Sequence, residues 1–565
     1  MKYLFLSFIT WFFGFTAIHA QQESQRLVLA EEFTNASCGP CASQNPAFDA
    51  LLAANATKIT SIKYHTNWPG TDPMNAQNPQ DAAARVTYYQ VSGVPYCRMD
   101  GAVVNGSAYS GAPSNLTQAK IDAAWAVPSP YEMQLYQYIP PSNDSVYLSL
   151  LIHATDPDAG SLVAHLAVIE KHIHFNSAPG GNGEKDFYNV MKKLLPGKNG
   201  TVLPASWTAG DYVVLDYAWA FANVYNPVEV AAVAFVQNNS DKNVRQAVNS
   251  SSTPLIPVYS RDAAILRVEE VPLNACSMKL SPAVTIRNNG SQPLTSLNIR
   301  YSVNGEPAQT YAWTGNLASW EKTRITIPEF MFALADQNSL VVTAEDPNGQ
   351  ADEYVKNNSV TVNFPKAPTV YRKMQLSLRT DNNPQETTWE IRDETGGLLT
   401  SSGVITQANT LLTFPIQIPT GGCYTFTVFD AGGNGLCCTQ GYGYYQLLDS
   451  TGALIGEGDQ FGNHVTHAFR IHSAAGLEET DPVSGLEVFP NPFGDVLSLR
   501  FTKSATSGFR VRILTPAGME VFDKTYTGML PGTHELEIST AMLSPGVYIL
   551  EAGNDHRSKI VKIRR

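Results

Sequence analysis

Cys38-Gly39-Pro40-Cys41 lies in the stretch EEFTNASCGPCASQNPAF, residues 31–48, and sets two thiols two residues apart. That spacing suits two-electron chemistry, in which one thiolate attacks a substrate disulfide and its neighbour resolves the mixed disulfide. The same spacing also makes a static clasp, so the surroundings decide. Upstream, RLVLAEEFT reads as a buried strand; downstream, NPAFDALLAANA sets Phe48, Leu51 and Leu52 at helical spacing. The pair is therefore expected at a strand-to-helix junction. There the unpaired N–H groups and the helix dipole favour a thiolate on Cys38, and Cys41, one turn further in, is the more shielded resolving thiol. KITSIKYHT reads as a second strand, and YYQVSGVPYCRMDG, residues 88–101, as a strand entered through Gly93-Val94-Pro95.

EEFTNASCGPC followed by YQVSGVPYCRMDG resembles the thioredoxin family in content and order. The resemblance implies that Cys38 is the attacking thiol, Cys41 the resolving thiol, Glu32 the buried acid beneath them, and Pro95 a cis-proline facing the disulfide. Ser37 stands where that family usually has Trp, Glu32 stands for Asp, and NWPGTDPMNAQNPQDAAAR intervenes as an insertion. Cys97 lies two residues past Pro95 on the same strand face. It reads as a small buried hydrophobe.

The compartment follows from the first residues. Lys2, the apolar run YLFLSFITWFFGFTAI and Ile18-His19-Ala20 have the order of a secretory signal peptide, residues 1–20. No cysteine follows it closely enough for N-terminal lipidation, and no later apolar run reaches the roughly 18–20 residues of a membrane-spanning helix. A net charge of −12 leaves no basic footprint for nucleic acid. Seven cysteines in an exported chain favour disulfides over zinc, with one left over. At 565 residues the chain needs several cores.

The expected architecture is multidomain, an α/β thioredoxin-like domain over residues 21–128 followed by antiparallel β-sandwich modules. In residues 129–266, alternating strands are interrupted by EKDFYNVMKKLLPG, where Phe187, Val190, Met191 and Leu194 have helical spacing. AHLAVIEKHIHF, VMKKLLPGKNG and VAAVAFVQNNSDKNVRQA resemble proteins related to the twenty-eight-kilodalton outer membrane protein, a family that implies an architecture and no assigned reaction. Glu170, His172 and His174 alternate along one strand, so a metal is conceivable, but the plain reading is a polar strand face and no metal is assigned. Residues 267–366 alternate between Asn-Gly turns, and RNNGSQPLTSLNIRYSVNG resembles the cell-adhesion-related, CARDB-type Ig-like domain.

Residues 367–474 contain CYTFTVFDAGGNGLCCTQGYGYYQLLDSTGALIGEG, which resembles a β-sandwich accessory module of type IX secreted proteins. Asp430, Gly432, Asn434 and Gly435 could line a calcium loop, with a tight turn as the plainer reading. Cys423 is expected to pair with Cys437 or Cys438, because adjacent cysteines bond at the cost of ring strain, and Cys276 is expected to be free. After a linker over residues 475–485, residues 486–565 hold Pro490-Asn491-Pro492, a GVYIL strand and a basic terminal strand. These resemble the type IX C-terminal sorting domain, which implies the type IX machinery as partner and delivery through the periplasm to the outer-membrane surface of a Gram-negative cell, or beyond it.

No Gly-x-Ser-x-Gly, His-Glu-x-x-His or Cys–His protease pattern occurs. Two readings stand: thiol–disulfide exchange on protein substrates without a cofactor, or a non-enzymatic surface adhesin whose Cys-x-x-Cys is structural.

Overall fold

The computed structural model describes residues 24–101, 109–471, 483–503, 507–516, 518–553 and 556–563. The expected signal peptide and most of the expected linker lie outside them. The chain is mostly β-sheet and forms two compact units, residues up to 260 with 290–292, and the remainder.

In the first unit, β1 (Val28–Thr34) is buried at all seven positions. It is central because β2 (Ile59–His65) pairs with it in parallel and β3 (Tyr96–Met99) antiparallel. The short β4 (Ser110–Gly111) adds to β3. Three longer helices cover this part: α1 (Gly39–Ala54), α3 (Pro79–Tyr89) and α4 (Gln118–Trp125), with the one-turn α2 (Pro73–Gln77) between the first two. Strand alternation divides β1 between two cores. Val28 and Ala30 join Phe48 of α1 and Ile121 of α4, whereas Leu29 and Phe33 join Ala82 and Tyr89 of α3.

The sheet continues past the boundary expected near Ser129. After β5 (Tyr131–Tyr138), β6 (Ser145–Ala154) and β7 (Asp158–Ala159) come β8 (Leu162–His174) and β9 (Asp186–Leu195). Then follow β10 (Thr201–Val202), β11 (Ser206–Trp207), β12 (Tyr212–Ala220), β13 (Val230–Asn238) and β14 (Val244–Asn249). The order β14-β13-β8-β9-β2-β1-β3-β4 makes one sheet, joined at its middle where Lys63 of β2 meets Val190 of β9. A second sheet, β12-β6-β5, packs its Val146, Leu148, Leu150 and Ile152 against Leu162, Ala164, Leu166 and Val168 of β8.

The helix expected over EKDFYNVMKKLLPG is instead β9. Val190 and Met191 enter separate cores, Val190 with Phe187 and Met191 with Leu194, and a register shift between Met191 and Lys193 brings Leu194 to the Met191 side, so a strand reproduces helical spacing. Pairing with the thirteen-residue β8 overrides local preference.

Among its described residues the second unit holds three β-sandwich cores. The first packs the sheet Ala263–Glu269, Ala283–Asn288 and Lys322–Thr326 against the sheet Gln309–Leu317, Leu294–Val303, Gln337–Glu345 and Ser359–Pro365, around Ile286, Ile299, Leu340 and Val342. The next pairs a five-stranded with a four-stranded sheet around Leu376, Ile391, Phe426 and Phe469. The last, from Val483 to Lys562, is built around Leu497, Leu499, Val511 and Leu550. The expected cysteine pairing is corrected here. Cys423 bonds to Cys276, 147 residues away, in a small buried cluster with Ala367, and the adjacent Cys437 and Cys438 bond to each other. Cys276 is therefore not free; the remaining thiol is the buried Cys97.

Candidate active site

Cys38 is the N-cap of α1: its Sγ accepts the Cys41 N–H at 3.1 Å, and Pro40 stands in the first turn, where a missing N–H costs no hydrogen bond. Cys38 and Cys41 are disulfide-bonded. The Val94 carbonyl oxygen lies 3.6 Å from Cys38 Sγ, and the Val94–Pro95 peptide is cis. The site thus joins the α1 N-terminus to the entry of β3. Shielding is not divided as the spacing suggested, since Cys38 is 2% exposed and Cys41 0%.

Two segments bind the turn that leads into Cys38. The turn after β2 holds residues 35–37: Asn35 Nδ2 donates to the Thr66 and Gly70 carbonyls, and Ser37 Oγ donates to the Thr71 carbonyl. Asp72 is the anchor, accepting from Ala36 N–H and His65 Nδ1 at 2.7 Å each and from the N–H groups of Met74 and Asn75. Burial opposes its ionisation, but the His65 ring and these N–H donors outweigh burial and hold its carboxyl below the usual range. The second segment is the connection from β8 to β9, where Gly181 N–H donates to Ser37 Oγ and Asn182 Nδ2 to the Cys38 carbonyl.

Glu32 is fully buried, facing α1, with Lys63 Nζ 2.9 Å from Glu32 Oε2 and 2.5 Å from Asp49 Oδ1. Burial raises the Glu32 carboxyl above its ordinary value and Lys63 only partly offsets it. Asp49 is raised by the same balance, while the two carboxylates together lift Lys63 despite its burial. The trio can therefore hold or yield a proton inside the core. Cys97 is directly across the ladder from Glu32, and burial, then the Glu32 charge, push its thiol well up. A thiol held protonated is a poor nucleophile, so Cys97 is no substitute for Cys38.

Sequence reading passed over a second cluster. Glu31, adjacent to Glu32, points to the opposite face, as alternation requires. Arg85 grips it through Nε at 2.9 Å and Nη2 at 2.8 Å, while Tyr64 and Tyr89 donate their hydroxyls at 3.0 and 2.5 Å. Burial, then Glu31, push both phenols well above their usual range. The signal was present: two successive acids in a buried strand each need a partner on a different face. Asp72 and Arg85 both lie in the apparent insertion, which is structural support for the site.

The remaining candidates separate. Glu170 is buried against Lys192 at 3.0 Å and accepts the N–H groups of Tyr225 and Asn226, whereas His172 and His174 are exposed and share Asp186 Oδ1 at 2.9 and 2.8 Å. Among the described residues no group of three or more His, Cys, Asp or Glu side chains is arranged to hold a metal ion. Asp430 Oδ2 accepts the N–H groups of Asn434 and Gly435, so its carboxylate closes the turn. No helix among the described residues is long and apolar enough to cross a membrane.

No curated protein matches the chain. Among solved structures, HBP35 of Porphyromonas gingivalis aligns over 60% of this chain and 98% of its own, with 13% identity and a TM-score of 0.33. A putative cell surface protein domain from Methanosarcina acetivorans aligns over 19% of this chain and 92% of its own, at 21% identity and a TM-score of 0.17. The CARDB domain of a Pyrococcus furiosus protein, in complex with di-metal ions, covers 20% and 95%, at 17% identity and a TM-score of 0.17. Residues 487–564 match the family of secretion system C-terminal sorting domains. The chain therefore carries a type IX sorting domain and is cargo of that machinery, secreted or held at the cell surface.

Proposed function

We propose that the first unit is a thioredoxin-like thiol–disulfide exchange protein acting outside the cell on protein substrates through Cys38 and Cys41. The observation that carries this reading is the Cys38–Cys41 disulfide capping α1 beside the carbonyl that precedes Pro95. The strand order supports it too, with β1 between a parallel β2 and an antiparallel β3. In the reducing direction the Cys38 thiolate attacks a substrate disulfide, forming a mixed disulfide and releasing one substrate thiolate. The Cys41 thiolate then attacks Cys38 Sγ, closing the intramolecular disulfide and releasing the second. Two electrons pass from the dithiol to the substrate, and each released thiolate takes up a proton. In the reverse direction the Cys38–Cys41 disulfide accepts two electrons from a substrate dithiol. The α1 N-terminus favours the Cys38 thiolate, and Glu32 with Lys63 is the nearby buried proton store.

The test is reduction of insulin disulfides by the mature protein in the presence of a small dithiol, with and without Cys38→Ser. Catalysis by the unaltered protein and its loss in the variant are expected, as is a mixed disulfide trapped through Cys38 when Cys41→Ser meets a protein substrate. Equal rates with and without the protein overturn the reading.

One observation favours the alternative, a surface adhesin with a structural clasp: Cys38 is only 2% exposed. Under that reading both cysteines alkylate slowly and equally after reduction and no mixed disulfide accumulates.

A further inference from the structure

We propose that residues 176–184, between β8 and β9, form a cover over Cys38 that must lift before a substrate disulfide can reach it, with Asn182 as the latch. This rests on the thiol–disulfide exchange reading and adds a control on access to the same sulfur.

The cover bonds to the backbone of the cysteine turn itself. Asn182 Nδ2 donates to the Cys38 carbonyl at 3.1 Å and lies 3.4 Å from the Asn35 carbonyl, while the Asn182 N–H meets the Ala36 carbonyl at 3.3 Å. Gly181 N–H donates to Ser37 Oγ at 2.9 Å. Gly180 lies so close that a Cβ there would stand 2.1 Å from the Ala36 oxygen, so no larger residue permits this approach. The latch is itself positioned, because Glu184 takes the Asn182 amide on one carboxylate oxygen and the Asn45 amide of α1 on the other.

Exchange needs the attacking sulfur and the two substrate sulfurs nearly in line, so a protein disulfide must come within bonding distance of Cys38 Sγ. With Cys38 at 2% exposure the closed arrangement leaves no such path. The two covering segments differ in what holds them. The turn of residues 66–72 ends in Asp72, 5% exposed and four times hydrogen-bonded at the start of α2, so it is fixed. By contrast, no residue from 176 to 186 is buried; Phe175 packs on Phe187 and Tyr225 at the base of the cover, and beyond it the cover is tied to the cysteine turn by the polar contacts above. Segments with few buried apolar contacts open locally at small cost, which makes this the side that moves.

The test measures alkylation of Cys38 by iodoacetamide in the reduced full-length protein, read by peptide mapping, for the unaltered chain, Asn182→Ala and Gly180→Val. Removing the latch amide is expected to speed alkylation about five- to tenfold, and Gly180→Val, which cannot close, at least as much. Hydrogen exchange of residues 177–184 is expected to run ahead of that of β8 and β9 in the unaltered protein. Unchanged alkylation in Asn182→Ala overturns the cover, as does exchange as slow as that of the flanking strands. If insulin is not reduced by any form but Asn182→Ala still accelerates alkylation, the cover stands and the exchange reading falls. If insulin is reduced and neither substitution alters alkylation, exchange stands and the cover falls.

Discussion

The disulfides Cys38–Cys41 and Cys276–Cys423 are both buried, yet they differ in how much chain they close and in what surrounds them. The first closes three residues of sequence at a helix N-terminus, among polar groups that grip the backbone around it. The second spans 147 residues and lies among Ala367 and Ala468, with Cys276 after the first strand of one β-sandwich and Cys423 on a central strand of the next. In the chain-entropy description a loop of that length restricts the unfolded chain by about 5 kcal/mol, against about 2 kcal/mol for the short one. A bond that adds little stability and sits beside donors suited to a thiolate fits the proposed exchange. One that ties distant strands in an apolar pocket is placed to persist.

The most complete loss is expected from deleting residues 486–565, which removes the matched sorting domain. The shortened chain should accumulate in the periplasm with all three disulfides formed, as seen by fractionation and non-reducing peptide maps. Its appearance at the surface would break the link between the second unit and export.

Next in size is the staple itself. Cys276→Ser with Cys423→Ser should lower the denaturant stability of the second unit by up to about 5 kcal/mol while leaving Cys38 reactivity unchanged, whereas Cys38→Ser with Cys41→Ser should cost the first unit no more than about 2 kcal/mol. Equal losses would erase the distinction drawn between the two bonds.

Arg85→Met should destabilise the first unit by about 3–5 kcal/mol, because it leaves Glu31 buried with only the two phenols and no countercharge. Combining it with Glu31→Gln should recover much of that loss. Hydrogen exchange in β1 and β2 would report it, and additive losses would show that the two residues do not act as a pair.

The smallest effect is a pH slope. Burial, and then the Arg85 charge, hold His165 well below its ordinary value of 6.5. Its folded form therefore resists protonation while the unfolded form takes a proton readily. The stability present above about pH 6.5 is lost as pH falls below that value toward the lowered folded one. Unfolding of the first unit measured from pH 7.5 to 5 should show this decline, and His165→Leu should flatten it. Glu32 has the opposite sign, since its raised carboxyl favours the folded state below its ordinary value of 4.5 and loses that contribution as pH rises through the folded value.

Local pattern was enough to place the Cys38–Cys41 pair between a buried strand and a helix. β1 is buried on both faces, and apolar residues at helical spacing follow the cysteines within the span of one short helix. The β character of the second unit was likewise legible, because period-two alternation between Asn-Gly turns has one physical solution. What failed was everything set by partners far along the chain. Phe187, Val190, Met191 and Leu194 fit a helix in isolation, and only β8 alongside makes them a strand. Cys423 meets Cys276 because folding brings strands 147 residues apart together, which no local spacing encodes. Glu31 and Glu32 are adjacent letters with opposite fates, and tertiary structure alone supplies Arg85 to one and Lys63 to the other. The burial of Cys38 under residues 180–182 is of the same kind. Sequence determined which thiols sit at the helix end; tertiary structure decided how far they are exposed, because exposure is set by long-range packing.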